Sequence, residues 1–335
     1  MKVLLVGCHN PNFVNTIVYR QKALTYLGHE VISFNESGYC LPGRIRDRFE
    51  ALQQWDLKRL NQSLISLIKS RKPDVCIVAG GHTLLPETVC HISQSNIPIA
   101  LWTTDVPVHF QRILDGARYY THLFCAGTEA MEIFQDKGFH NTTWIPFACD
   151  PNFHQRLEVD EKERQEYGRD IIFVGSYYPN RAIILESIAD FDLGVWGPYW
   201  NKLSASSPLK SKTVDIKMNY DRWVKIFNAC KINIVSHYQD GQTLCYQASP
   251  KIFEAMACGS FVLTDQQKDV QTLFKDREHL VYFNGKDDLR SKIRYFLDHS
   301  EERKKIALSG YNHVIKNHTY QHRLKAILDV LTNRL

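Results

Sequence analysis

The chain has 335 residues, 44% hydrophobic and 23% charged, which is enough for a sizeable core and suggests two domains. Its net charge of +5 comes without a basic stripe interleaved with aromatics, so a nucleic-acid partner is not expected. No apolar run reaches the roughly 18–20 residues of a membrane span. None of the nine cysteines forms a C-x-x-C pair, and no carboxylate or His/Cys set has metal-ligand spacing, so neither a redox dithiol nor a metal is expected.

The opening MKVLLVGCHN is too short for a secretory leader and reads as a buried strand. With the odd, unpaired cysteines it suits a reducing cytoplasm. Strands are expected at 3–6, 30–34, 75–79, 99–102, 122–125 and 143–145, with helices near 14–27, 49–71, 84–95, 108–118 and 128–138 between them. In the longest helix Leu52, Leu57, Leu60, Leu64, Leu67 and Ile68 keep near-helical spacing, and Pro73 follows as a stop. Residues 151–169 are charged and turn-rich and read as a linker.

Alternation then restarts. Strands are expected at 170–175, 193–196, 232–235 and 261–264, and helices at 181–189, 220–229, 250–257, 266–274, 287–297 and 300–315. The run Glu301–Lys305 reads as a solvated helix face. A last helix near 319–332 has Leu324, Ile327, Leu328 and Leu331 on one side. Residues 1–165 hold 17 basic and 17 acidic side chains; residues 166–335 hold 24 and 19, so the positive excess lies in the second half and suits an anionic ligand there. The pattern is α/β: two doubly wound parallel sheets, in domains 1–165 and 166–318, with residues 319–335 packing back toward the first domain. Periplasmic-binding proteins, epimerases, dehydrogenases and transferases share such an architecture. The absence of G-x-G-x-x-G argues against an NAD-dependent dehydrogenase.

The most informative stretch is SPKIFEAMACGSFVLTD, residues 249–265. Ser249 is a good N-cap and Pro250 fits the first helical position. Ile252, Phe253, Met256 and Ala257 form a core-facing stripe; Gly259 ends the helix and Phe261–Thr264 is a buried strand. Lys251 and Glu254 lie three apart in the first turn, where α/β folds bind phosphorylated ligands. The cation and the helix dipole suit a phosphate, and the carboxylate suits a pair of sugar hydroxyls; an ordinary surface ion pair has the same spacing. The segment resembles the donor-site helix of GT-B glycosyltransferases, above all family-4 enzymes and the spore-maturation, CgeB-like group. That resemblance implies that Glu254 holds the ribose of a nucleotide sugar.

Other motifs extend the resemblance, densely from 119 to 200 and from 230 to 325. Gly7, His9 and Asn10 form a polar turn after the first strand; it is either structural or a loop facing the interdomain cleft, as in GT-B enzymes. Gly80 and Gly81 permit a sharp turn before His82, a second cleft candidate. In WTTDVP, Asp105 follows a strand end, where it either caps a helix or serves as base or acceptor ligand. The segment resembles the family-4 strand ending in His-Asp, with Thr104 at the His position. Residues 119–154 resemble the end of a GT-B acceptor domain, with Ile145, Pro146, Asp150 and Phe153 in an Ile-Pro-x-x-x-Asp turn read as purely structural.

FVGSYYPNR resembles the first strand and turn of the donor domain, which implies that Gly175, Ser176 and Arg181 approach the donor diphosphate. Trp196–Trp200 matches a CgeB-like aromatic turn that either flanks the ligand or caps the sheet. His237–Gly241 is a polar loop in the expected sugar neighbourhood, with His237 a donor contact. Family-4 enzymes carry a further Glu eight residues before the donor-site Glu; here Tyr246 stands there. Residues 317–323 match the CgeB-like C-terminus.

The resemblance implies a metal-independent transferase using a nucleotide-diphosphate sugar as co-substrate and no cofactor, with Asp105 as the catalytic candidate. The acceptor is a glycan, a protein or a small molecule. A non-catalytic nucleotide-sugar-binding protein and a nucleotide-sugar epimerase or hydrolase remain as alternatives.

Overall fold

A computed structural model describes residues 1–9, 15–214, 222–239 and 241–332. Asn10 and Asp240 of the motifs above lie outside the described residues. The chain divides into two compact units. One gathers the first strand, Asn15–Pro146 and the helix beginning at Tyr320; the other gathers Phe147–Thr319.

In the first unit six strands alternate with helices: β1 (Lys2–Gly7), α1 (Thr16–Tyr26), β2 (Glu30–Asn35), α2 (Gly43–Arg46), α3 (Glu50–Arg71), β3 (Val75–Ala79), α4 (Pro86–Gln94), β4 (Ile99–Thr103), α5 (Gln111–Gly116), β5 (His122–Cys125), α6 (Thr128–Asp136) and β6 (Thr142–Trp144). They form one parallel sheet in the order β2-β1-β3-β4-β5-β6, with Leu4 opposite both Ile32 and Cys76. The unbroken apolar runs follow from burial on both faces: Val3 to Val6 and Val75 to Val78 are fully buried. Strand order reverses between β1 and β3, so the carboxyl ends of these two strands flank a crevice. Helix Tyr320–Thr332 completes this core: Tyr320 stacks on Tyr19 at 5.8 Å and leans on Trp102 at 6.2 Å, and Arg323 donates to the Pro146 carbonyl at 3.1 Å.

The second unit runs α7 (Glu161–Tyr167), β7 (Arg169–Val174), α8 (Pro179–Glu186), β8 (Leu193–Trp196), β9 (Thr213–Val214), α9 (Arg222–Asn228), β10 (Cys230–Val235), α10 (Pro250–Ala257), β11 (Val262–Asp265), α11 (Lys268–Leu273), β12 (Val281–Phe283), α12 (Gly285–Asp298) and α13 (Ser300–Asn317). Its parallel sheet has the order β12-β11-β10-β7-β8-β9 and reverses between β7 and β10. Ile171, Phe173, Ile232, Ile234, Leu263 and Val281 from four strands meet Leu185, Leu289 and Phe296 from the covering helices.

The 151–169 stretch is more ordered than its composition suggests. Within it, α7 carries a capping box: Asp160 accepts from the Glu163 amide at 2.7 Å, and Glu163 accepts from the Asp160 amide at 3.4 Å. Lys225 adds an ion pair to Glu163 at 2.8 Å, and Tyr167 is buried. The helix buries one aromatic rather than an apolar stripe, so hydrophobic periodicity does not reveal it.

The turn after β8 braces the turn after β7. Gly175 donates its amide to the Trp196 carbonyl at 2.8 Å, and the Gly175 carbonyl accepts from the buried Trp200 indole at 2.9 Å. Gly197 makes this approach possible: its φ is +142°, and a Cβ there would lie 2.1 Å from the Gly175 oxygen. Gly197→Ala is therefore expected to cost about 3 kcal/mol or more, through combined backbone strain and overlap. The check is denaturant unfolding followed by tryptophan fluorescence, with an unshifted transition as the contrary result.

Candidate active site

At the carboxyl edge of the second sheet, the switch point is tied together by one guanidinium. Arg181, in the first turn of α8, donates from Nε to the Ser236 carbonyl at 2.8 Å and from Nη1 to the Ser176 carbonyl at 3.0 Å. Neighbouring Asn180 donates to the His237 carbonyl at 2.8 Å. Nη2 of Arg181 makes no hydrogen bond to the described residues and is not shut off from solvent. Its charge sits over Tyr178 at 4.8 Å, and burial lowers its pKa. Tyr178 in turn meets Tyr238 edge-on at 4.8 Å.

His237 is 3% exposed and acts as a brace. The Ser249 amide donates to its Nε2 at 3.0 Å, so the proton is on Nδ1, which donates to Asp265 Oδ1 at 2.7 Å. Asp265 also accepts from the His237 amide at 3.1 Å. The end of β11, the loop after β10 and the start of α10 are thereby locked together. The imidazole expected to touch a sugar is instead engaged on both nitrogens by protein, and its contribution is to hold the helix N-terminus.

That N-terminus has the expected caps: the Ser249 hydroxyl accepts from the Lys251 amide at 3.3 Å, Pro250 opens the helix and Gly259 follows it with φ +76°. Glu254 is 3% exposed, and Lys251 donates to its Oε2 at 2.5 Å. Burial works against this carboxylate, but Lys251 and His154 outweigh it and hold its pKa below the ordinary glutamate value. Lys251 also lies 4.6 Å over the Trp223 ring. Glu254 Oε1 makes no hydrogen bond to the described residues and stays accessible. His154 sits in the turn expected to be structural, and it comes within electrostatic reach of this pair. It is 1% exposed, accepts from the Asp150 amide at Nδ1 at 3.0 Å and feels both Glu254 and Lys251; burial pushes its pKa down to about 4.

In the first unit the crevice beside β1 and β3 is a pocket of about 160 Å³, lined by Arg20, Glu36, Gly80, His82, Thr104 and Asp105 among others. Asp105 is not a helix cap: the short turn beginning at Pro107 has Val106 before it and no side-chain cap. Its Oδ2 instead lies 2.9 Å from His82 Nε2. Thr104 occupies the sequence position of the family-4 histidine, yet an imidazole reaches Asp105 from the neighbouring strand's loop. Burial disfavours the His82 imidazolium, but the hydrogen bond and charge of Asp105, with Glu36 behind, raise its pKa overall. Burial raises the Glu36 pKa as well; its carboxylate accepts from the Thr83 hydroxyl at 3.1 Å. Gly80 (φ +115°) has no room for a Cβ, which would lie 2.8 Å from Glu36.

Gly7 and His9 flank Cys8, which lines this pocket, without lining it themselves. A Cβ on Gly7 would lie 2.5 Å from Ile17, so this glycine lets α1 pack on β1. His9 turns toward β2, 3.0 Å from the Ser33 hydroxyl. Gly175 and Ser176 lie at the switch point, their carbonyls taken by Trp200 and Arg181. The residues missed from sequence are Arg20, Glu36, His154 and Asp265. Asp265 alone left a signal, as a carboxylate ending a buried strand.

Residues 181–329 match the family described as Glycosyl transferase-like. The chain is 21% identical over 276 residues to Spore protein CgeB of Bacillus subtilis, covering 78% of this chain and 84% of that protein. Sucrose-phosphate synthase from Thermosynechococcus elongatus superimposes with a TM-score of 0.73 at 11% identity, covering 100% of both chains. HepE of Anabaena, in complex with UDP-glucose, does so at 0.70 and 13% identity, covering 99% of this chain and 100% of that one. The fold is GT-B, two Rossmann-like units each with a six-stranded parallel sheet.

A raised His82 pKa has a definite sign. The pairing with Asp105 stabilises the fold fully below the unfolded histidine value near 6.5, and that contribution is lost as pH rises through the raised folded value. In NMR titration His82 is expected to titrate above 6.5, and Asp105→Asn to move it down. A midpoint at or below 6.5 in the parent protein would contradict the pairing.

Proposed function

We propose that this chain, a CgeB-like glycosyltransferase of GT-B fold, transfers a sugar from a nucleotide-diphosphate sugar to an acceptor hydroxyl without a divalent metal. The carrying observation is the carboxyl edge of the second sheet. There Arg181 keeps Nη2 open, and Glu254 keeps Oε1 open at the capped N-terminus of α10. Hydrogen bonds through Ser236, His237 and Ser249 link the two groups into one framework.

On this reading Arg181, Lys251 and the α10 dipole face the diphosphate, and Glu254 Oε1 accepts from a ribose hydroxyl. The Tyr178–Tyr238 pair offers aromatic surface to the nucleotide. As the bond between the anomeric carbon and the diphosphate oxygen breaks, these cations stabilise charge on the leaving group. The acceptor oxygen bonds to that carbon, and its proton passes to Asp105, held by His82. Protein cations take the part a metal plays elsewhere; among the described residues no group of three His, Cys, Asp or Glu is placed to hold one. No described helix is long and apolar enough to cross a membrane. The nine cysteines, none in a disulfide, fit a reducing cytoplasm.

UDP is the first probe to use, because the Anabaena relative was solved with UDP-glucose. Glu254→Gln keeps the shape and a partner for Lys251, and is expected to weaken UDP binding by about 1.5–3 kcal/mol in calorimetry. Arg181→Met should lose far more affinity for UDP than for uridine. Equal losses would move Arg181 away from the phosphates, and an unchanged Glu254→Gln would remove the ribose assignment.

Asp105→Asn, assayed in EDTA beside the parent enzyme, should retain UDP affinity and lose roughly 10²-fold or more in turnover. Near-normal turnover would end its role as base. Parent activity abolished by EDTA and restored by Mg²⁺ or Mn²⁺ would overturn the metal-free route.

A further inference from the structure

Arg20, on α1 in the first unit, is 1% exposed, yet its guanidinium Nε and Nη2 make no hydrogen bond to the described residues. One face of the guanidinium lies 3.8 Å from the Trp102 ring centre. That contact engages the π face and leaves the N–H edge. Nε–H and Nη2–H form the side-on fork of the group, two parallel donors spaced to match two oxygens of one oxyanion. Arg20 lines the pocket of about 160 Å³ at the β1–β3 switch point, several times the ~30 Å³ of one liquid water.

The two carboxylates on the same walls are engaged elsewhere. Glu36 accepts from the Thr83 hydroxyl and receives backbone hydrogen bonds from Gly81 and Thr83. Asp105 pairs with His82. Neither neutralises Arg20 by a direct bond. A buried cation with an empty donor fork is costly, and the cost is removed by a ligand that brings both charge and acceptors. A neutral hydroxyl supplies one acceptor and no charge; a carboxylate or a phosphate supplies two acceptors and the charge.

We propose that this pocket binds an oxyanion, so that the acceptor, on the transferase reading above, carries a carboxylate or phosphate group that Arg20 holds in side-on, bidentate fashion. The site assigned to the donor lies on other residues of the other unit, so the two proposals fail separately.

The test uses the whole protein saturated with UDP, which occupies the donor site, and titrates inorganic phosphate or acetate at constant ionic strength. Saturable thermal stabilisation by at least one of the two anions is expected, and the better anion tells phosphate from carboxylate. Arg20→Met, which keeps the bulk, is expected to weaken that anion tenfold or more while changing UDP affinity less than twofold. It should also leave the anion-free protein no less thermally stable, because a buried charge with no counter-ion bonded to it is gone. The absence of saturable stabilisation by either anion in the UDP-saturated parent protein overturns the proposal, whether or not Arg20→Met folds. So does a folded Arg20→Met that binds the anion like the parent, or loss of the anion effect in Arg181→Met but not in Arg20→Met. If UDP fails to bind the parent, the donor reading falls, and the anion titration is read on the UDP-free protein against the Arg20→Met and Arg181→Met variants.

Discussion

Every strand in both sheets is parallel, and each must be brought back by a crossover to start again at the same end. This constraint arranges everything else. The strand interiors, covered on both faces, are mostly apolar, and most side chains with chemistry gather where chains leave the sheet. At each reversal of strand order adjacent crossovers diverge to opposite faces and leave a crevice. In the first unit it holds Arg20, Glu36, His82 and Asp105; in the second the loops beside it are tied by Arg181.

The carboxyl edge of the second sheet is tied by hydrogen bonds from side chains. Arg181 gives two of its N–H groups to backbone carbonyls on different loops, and His237 links an amide to a carboxylate. Such bonds are directional, so a small change in one loop is felt by its neighbour. Glu254 shows the balance most clearly: the charge and hydrogen bond of a lysine one helical turn away hold the pKa of a buried carboxylate down against its desolvation.

Strands and helices were largely legible in the sequence because burial on both faces writes them as apolar runs and stripes. The caps of α10 were legible for the same local reason, since Ser249, Pro250 and Gly259 act on their own backbone. What stayed hidden was contact across the chain. His82 and Asp105 are 23 positions apart, His237 and Asp265 are 28, and nothing in the spacing of either pair marks them as partners. His154 reads as turn furniture until Glu254, a hundred residues on, is seen to sense it. Helix α7 escaped notice because its stability rests on a capping box and an ion pair, and composition registers neither. Arg20 escaped because a cation in an amphipathic helix is expected to face water.

The helix that begins at Tyr320 lies against Tyr19 and Trp102 in the first unit, although the second unit's residues precede it in the chain. A ribosome delivers residues in order, so the first sheet is made early and waits for its last covering helix until Phe147–Thr319 has emerged. Over that interval Tyr19 and Trp102 lack the ring that covers them in the finished protein. The first unit without that helix is thus an incomplete apolar surface. The first unit is therefore the one whose core is written by two stretches of chain separated by the whole of the other unit.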